Sequence, residues 1–204
     1  MGRPSAREDL LDCAETLFAE HGLEGVSLRA INAKAKLSPA ALHYHFGTQQ
    51  TLVEALLQRQ MPSLMENRRQ LLDALANRPA PPTTRDVLSA LIQPQVDLLA
   101  EGEEPGLRYL RFIHRIQADG DLDQQFVIDR WPGGVDRLVP LLQEANPSLP
   151  RSVLEFRLTL AIDVMLRSLA QGPPSMAGEL NAYVSALLDF LTGAFEAPVR
   201  GESL

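Results

Sequence analysis

The chain has 204 residues, 45% of them hydrophobic and 22% charged, with one cysteine and a formal net charge of −7. That suffices for one or two globular domains burying roughly 70% of the unfolded chain's surface. It excludes a membrane-spanning helix, since no apolar run of about 18 residues occurs, and it excludes an internal disulfide or a cysteine metal cage, since Cys13 stands alone.

The periodicity throughout is that of helices. Leu10, Leu11, Ala14, Leu17, Phe18 and His21 form one stripe with a repeat of about 3.6 residues, ended by Gly22 and Gly25. Ser27 is suited to cap a second helix with Leu28, Ile31 and Ala35 on one face. Ser38-Pro39 repeats the signal, a cap followed by proline at the first helical position, for a very short third helix ending near Phe46-Gly47. Thr48 caps a fourth helix through Leu52, Leu56 and Leu57, which Pro62 is expected to kink or divide.

Residues 77–84 read as a loop, 87–100 as a helix with a kink at Pro94, and 101–106 as a turn. Helix is expected at 107–118. A turn follows at 119–121, then 122–145 is helical but interrupted at Trp131-Pro132-Gly133-Gly134. Two strongly apolar helices, 151–171 and 175–195, close the chain. No segment sustains a period of two. The expected fold is all-α, with an N-terminal three-helix DNA-binding domain at 1–47 and a helical effector-binding and dimerisation domain at 48–204.

Charge distribution and the short helices together point to DNA. Residues 27–50 carry three cations (Arg29, Lys34, Lys36) and no acid, whereas from Thr51 onward 14 arginines face 20 carboxylates. Two short helices joined by Lys36-Leu37-Ser38 form a helix-turn-helix, whose second helix lies in the major groove. Pro39, Ala40 and Ala41 are small enough for close approach. His43, Tyr44 and His45 lie on the outer side, with Leu42 and Phe46 turned inward. Ring nitrogens and phenol hydroxyls can donate to phosphates, and the helices capped by Ser27 and Thr48 can receive them. Alanine methyls, Tyr44, Arg29 and Lys36 are the candidates for direct base reading. An N-terminal arm with Arg3 and Arg7 would reach the minor groove or the backbone. The expected partner is double-stranded DNA, read largely by shape and with strong salt dependence.

The stretch VSLRAINAKAKLSPAALHYHFGTQQTL, Val26 to Leu52, resembles the DNA-binding domain of TetR-type one-component transcriptional regulators. The resemblance extends back through Leu17-Phe18-Ala19-Glu20-His21-Gly22 and covers about the first 55 residues. It implies a homodimer that leaves a palindromic operator when a small molecule binds, most often as a repressor. It places His43 and His45 at phosphate contacts and Tyr44 at a base or methyl contact. The chain departs from the pattern at three positions. Lys36 stands where the turn usually has Gly, Gln49 where Lys usually opens the fourth helix, and Asn32 where Ala is common. Asn32 with Ala40 to Gly47 is similar to a subgroup that regulates fatty-acid and related catabolic genes.

The closing helices are apolar nearly all round, which suits burial on two sides. Phe156, Leu160, Val164, Tyr183, Leu187, Phe190 and Leu191 are the candidate dimer interface of a symmetric four-helix arrangement. An effector pocket between helices would be walled by Met61, Leu64, Met65, Leu91, Leu98, Leu110, Ile113, Phe126, Trp131 and Thr159, with Arg111, His114 and Arg115 available to an anion. The expected effector has an apolar body and is neutral or acidic. The sequence offers no defensible Ser-His-Asp ordering and no Gly-rich phosphate loop. Asp119-Gly120-Asp121-Leu122-Asp123 lacks most of the spacing of a calcium loop. No enzymatic activity, cofactor, metal or membrane association is expected. The opening residues lack the apolar core of a signal peptide, so a cytoplasmic protein is expected, on the nucleoid when bound to DNA. The alternative is a helical, dimeric ligand sensor that has lost specific DNA binding.

Overall fold

The computed structural model describes residues 5–101, 103–120, 137–172 and 180–199. All regular structure among them is helical: α1 (Ala6–His21), α2 (Leu28–Lys34), α3 (Ala41–Phe46), α4 (Gln49–Ala76), α5 (Thr84–Glu101), α6 (Glu103–Ala118), α7 (Leu138–Ala145), α8 (Arg151–Gln171) and α9 (Leu180–Glu196). Three helices begin at side-chain caps, two of which, Ser27 and Thr48, were expected from the sequence. Ser5 Oγ accepts from Glu8 N at 3.3 Å, Ser27 Oγ from Ala30 N at 3.2 Å and Thr48 Oγ1 from Thr51 N at 3.1 Å.

Several boundaries differ from expectation. The third helix starts at Ala41, not at Pro39. Ser38 to Ala41 is instead a turn, closed by Ala41 N–H donating to the Ser38 carbonyl at 2.9 Å. Pro62 does not divide α4, which runs unbroken for 28 residues. The carbonyl that Pro62 leaves without an N–H belongs to Gln58, an exposed residue, so solvent can satisfy it. Pro94 likewise sits inside α5. The loop expected to reach residue 84 ends earlier, because Thr83 and Asp86 cap α5 reciprocally. Asp86 Oδ2 accepts from Thr83 N at 3.0 Å, and Thr83 Oγ1 accepts from Asp86 N at 3.1 Å. The turn expected at 101–106 is largely helical, since Pro105 falls in the first turn of α6, where a missing N–H removes no helical bond. Most of the expected 122–145 segment and the start of the last helix lie outside the described residues.

The small helices α1 to α3 surround Leu10, Leu11, Ala14, Phe18, Ile31, Leu42 and Phe46, all buried. Helix α1 also packs along α6, and Phe18 stacks on Phe112 with ring centroids 6.3 Å apart. The α1 stripe therefore closes two cores at once, that of the small subdomain and that of the larger bundle. The bundle is built by α4 on α5, α5 on α6 and α9, and α6 on α8. At the end of α1, Gly22 adopts φ 73°, and a Cβ there would lie 2.5 Å from Asp119 Oδ2 and 3.1 Å from Arg115 Nε. Only glycine satisfies both the backbone and this close approach to α6.

Candidate nucleic-acid interface and effector domain

The helix-turn-helix is held by one buried polar side chain. Asn32 of α2 donates from Nδ2 to the carbonyls of Leu28 at 3.1 Å and Pro39 at 3.2 Å, and its Oδ1 accepts from Leu42 N at 3.2 Å. Ala40, at the N-cap of α3, has no side chain able to accept a hydrogen bond. Asn32 thus caps α3 from a neighbouring helix and ties the turn to α2. The turn itself passes through Lys36 at φ 55°, the left-handed region, with Leu37 N–H donating to the Asn32 carbonyl at 3.0 Å. The chain therefore keeps the conformation that glycine favours there and carries a cation on it.

With α3 fixed, its outer face is set. Leu42 and Phe46 are buried, while Tyr44 is 84% exposed. His43, Lys36, Arg29, Ser27, Ser38, Pro39, Ala40 and Thr48 are exposed too, and Ala41, His45 and Gln49 are half-buried. Most of the expected candidates are therefore open to solvent. His43 Nδ1 lies 3.0 Å from the Gly47 carbonyl, which can only accept. Nδ1 carries the proton, so Nε2 of the neutral ring has a lone pair, and only the protonated ring can donate to a phosphate. Gln49 Nε2 donates to the Leu23 carbonyl at 2.7 Å, so it fastens α4 to the loop after α1. Arg7 belongs to α1 and not to an arm. Its guanidinium lies 5.3 Å from the Phe46 ring centroid. Arg3 is outside the described residues.

An ionic cluster joins this unit to the bundle. Glu8, Asp12 and Glu15 lie on one face of α1. Arg59 of α4 bonds Asp12 at 2.8 Å and Glu8 at 3.3 Å, and it lies 3.5 Å from Glu15. Arg108 of α6 bonds the buried Glu15 at 2.8 Å. The cluster thus links α1 to both α4 and α6. Sequence reading missed the cluster, although the spacing of the three acids could have shown it. Cys13, half-buried beside it, is no redox candidate, because burial pushes its thiol pKa up.

The expected effector residues separate into groups. Met61, Leu64, Met65, Leu91, Leu110 and Ile113 are buried among α4, α5 and α6, and Leu98 packs at their edge. Arg111, His114 and Arg115 do not join them. They line an open cleft of about 420 Å³ between α1, α6 and α8, where Arg115 pairs with Asp119 at 2.9 Å and Arg111 Nε donates to the Ala170 carbonyl. Thr159 is exposed and bonds the Glu155 carbonyl of its own helix. Phe126 and Trp131 are outside the described residues. Sequence reading also missed Arg68, which is buried in this core.

On α8 and α9, Phe156, Leu160 and Phe190 are 53%, 47% and 65% exposed, and with Val164 and Leu191 they line an apolar groove of about 560 Å³. Arg157 bonds the carbonyls of Phe195 and Ala197 at 2.6 and 2.8 Å, capping α9 and fixing its approach to α8. Leu187 and Leu191 both belong to the protomer core, Leu191 at the edge of the groove and Leu187 away from it. Tyr183 is half-buried and donates to the Ser168 carbonyl.

A helix-turn-helix mounted on a helical bundle with an apolar outer face is the architecture of a bacterial one-component regulator. Residues 10–56 match the profile of bacterial regulatory proteins of the tetR family, and residues 89–194 match the tetracyclin repressor-like C-terminal domain. The chain belongs to the TetR family, a family of regulatory proteins and not of enzymes. It is 33% identical over 71 residues to the transcriptional repressor KstR2 of Rhodococcus jostii, a match covering 35% of each chain. It is 27% identical over 125 residues to the transcriptional regulator BetI of Rhizobium meliloti, covering 61% of this chain and 59% of that one. The KstR2 repressor matches thus span about a third of those relatives' length. In fold, the chain is similar to the ketosteroid transcriptional regulator KstR2 of Mycobacterium tuberculosis, with TM-score 0.64, 19% identity and 96% and 95% coverage. It is also similar to a TetR-like regulator from Rhodococcus, with TM-score 0.62, 20% identity and 96% coverage of both chains. No helix of the described residues is long and apolar enough to cross a membrane.

Proposed function

We propose that the protein is a homodimeric transcriptional repressor that leaves a palindromic operator when a small apolar or acidic organic molecule binds among α4, α5 and α6. The observation that carries DNA binding is Tyr44, 84% exposed on a helix that Asn32 locks in place. A large ring held rigidly in water at the tip of a helix-turn-helix is suited to base edges and thymine methyls. Lys36 and Arg29 flank it as phosphate contacts, with His43, Ser27, Ser38 and Thr48 as further polar ones, while Pro39, Ala40 and Ala41 permit close approach.

The apolar groove of α8 and α9 supports a second copy of the chain as partner. The same face on each protomer would form a two-fold four-helix interface, which spaces two recognition helices for a palindrome. Effector binding would alter the packing of α4 and α6, and the Glu15 cluster would pass the change to α1. Only a molecule that favours the DNA-incompetent arrangement produces release.

The test is selection of binding sequences from a random duplex pool by wild type and by the Lys36→Ala/His43→Ala variant. Enrichment of a palindrome by wild type alone supports the proposal. Failure of wild type to enrich any sequence at low salt, with no co-purified small molecule in the denatured sample, refutes it and favours the ligand sensor without specific DNA binding.

A further inference from the structure

A cation is buried at the centre of the effector domain without a counter-charge among the described residues. Arg68 of α4 is 2% exposed. Its Nη1 donates to Met65 Sδ at 3.4 Å and its Nη2 to the Leu91 carbonyl at 3.1 Å, while Nε has no partner. A thioether is a weak acceptor, so one full hydrogen bond serves a group with five N–H donors. Burial draws the pKa of Arg68 down to about 10, which leaves it charged at neutral pH. A buried charge that lacks both a partner and its hydrogen bonds is among the most destabilising features a core can hold. A second polar atom is orphaned nearby. Gln95 Oε1 has no partner, and Gln95 lies one turn along α5 from Leu91. Met65 and Leu91, the two residues Arg68 bonds, belong to the apolar core of the bundle, as do Met61 and Leu110 on α4 and α6.

We propose that Arg68 is the anchor of the effector site, and that the effector is a carboxylic acid whose carboxylate pairs with this guanidinium while its apolar body lies against Met61, Met65 and Leu110. This rests on the reading of the chain as a ligand-responsive regulator and names the class of its ligand. A planar guanidinium fork matches a carboxylate through two parallel bonds, and desolvation strengthens the pair. The open cleft at Arg111, His114 and Arg115 offers less. It is open, and Arg115 already has Asp119 as partner.

The test compares the full chain with Arg68→Met and Arg68→Lys. Melting temperature is measured with hexanoate to dodecanoate, cyclohexanecarboxylate and phenylacetate, and with the primary amide of each acid. At about 100-fold excess over Kd, an acid that fits raises the wild-type Tm by about 5–10 °C, and its amide does not. Arg68→Met, of similar length without the charge, loses that response and melts no lower than ligand-free wild type. The acid also releases wild type, but not Arg68→Met, from the selected operator in fluorescence anisotropy. Equal stabilisation by acids and amides, an unchanged response in Arg68→Met, or no response of wild type to any acid overturns the proposal. If Arg68→Met does not fold, the acid-against-amide comparison on wild type decides. Failure of wild type to bind any operator instead defeats the regulator reading while leaving the melting result intact.

Discussion

Asn32→Ala tests how the reading head is held. The substitution removes the acceptor of the Leu42 N–H and two donated bonds, to the Leu28 and Pro39 carbonyls. Leu42 is buried, so its N–H loses its partner with little access to water. An unsatisfied buried donor is destabilising by about 1–3 kcal/mol, and the lost donated bonds add to that, for a total of about 2–4 kcal/mol. That is below a typical domain stability of about 5–15 kcal/mol, so the variant folds. The urea midpoint should fall accordingly, with the far-ultraviolet circular dichroism preserved. Operator affinity should fall by at least about tenfold, because α3 is no longer held in register on α2. The slope of log affinity against log salt should stay unchanged, since no phosphate contact is removed. Asn32→Asp sharpens the test. It keeps an acceptor for Leu42 but sets a buried carboxylate against two carbonyls, and it should be at least as damaging as alanine. If Asn32→Ala matches wild type in stability within about 0.5 kcal/mol and in affinity, then Leu42 and Phe46 hold the helix alone and the reasoning is refuted.

Four further outcomes are expected. Lys36→Gly should be about 1 kcal/mol more stable than Lys36→Ala in urea denaturation, because only glycine relieves φ 55°, while both lower the salt slope by about 0.9 per protomer. Glu15→Gln should leave the protein folded but weaken effector-induced release by about tenfold in anisotropy, because the charge joining Arg59 and Arg108 is lost. His114 is held below its ordinary value of 6.5 by burial and by the Arg167 and Arg115 cations, so the folded state disfavours its protonation. The stability this contributes is complete above 6.5 and is lost as pH falls through the folded value, and His114→Gln should flatten that part of a urea-midpoint profile. Phe190→Glu, on the open face of α9, should yield monomers by light scattering and abolish palindrome binding while leaving the protomer folded.

Much of this molecule is written locally. Apolar repeats fixed α1, α4 and α8, and Ser27 and Thr48 fixed helix starts, because caps and periodicity act within a few residues along the chain. The helix-turn-helix was legible for the same reason, since its exposed and buried positions follow from Leu42 and Phe46 alone. What the sequence could not supply was the meeting of residues far apart. Asn32 read as a departure from a pattern, but it is the cap of a helix that begins nine residues later. Pro62 read as a kink or a division and Pro94 as a kink, yet α4 and α5 each run on past a single lost hydrogen bond. Leu187 and Leu191 read as interface, and only the packing of α9 onto the bundle put both in the protomer core. Arg68 drew no attention in the sequence at all. Whether a cation faces water or a core depends on which way its helix is rotated against α5, and that is decided by the whole bundle at once.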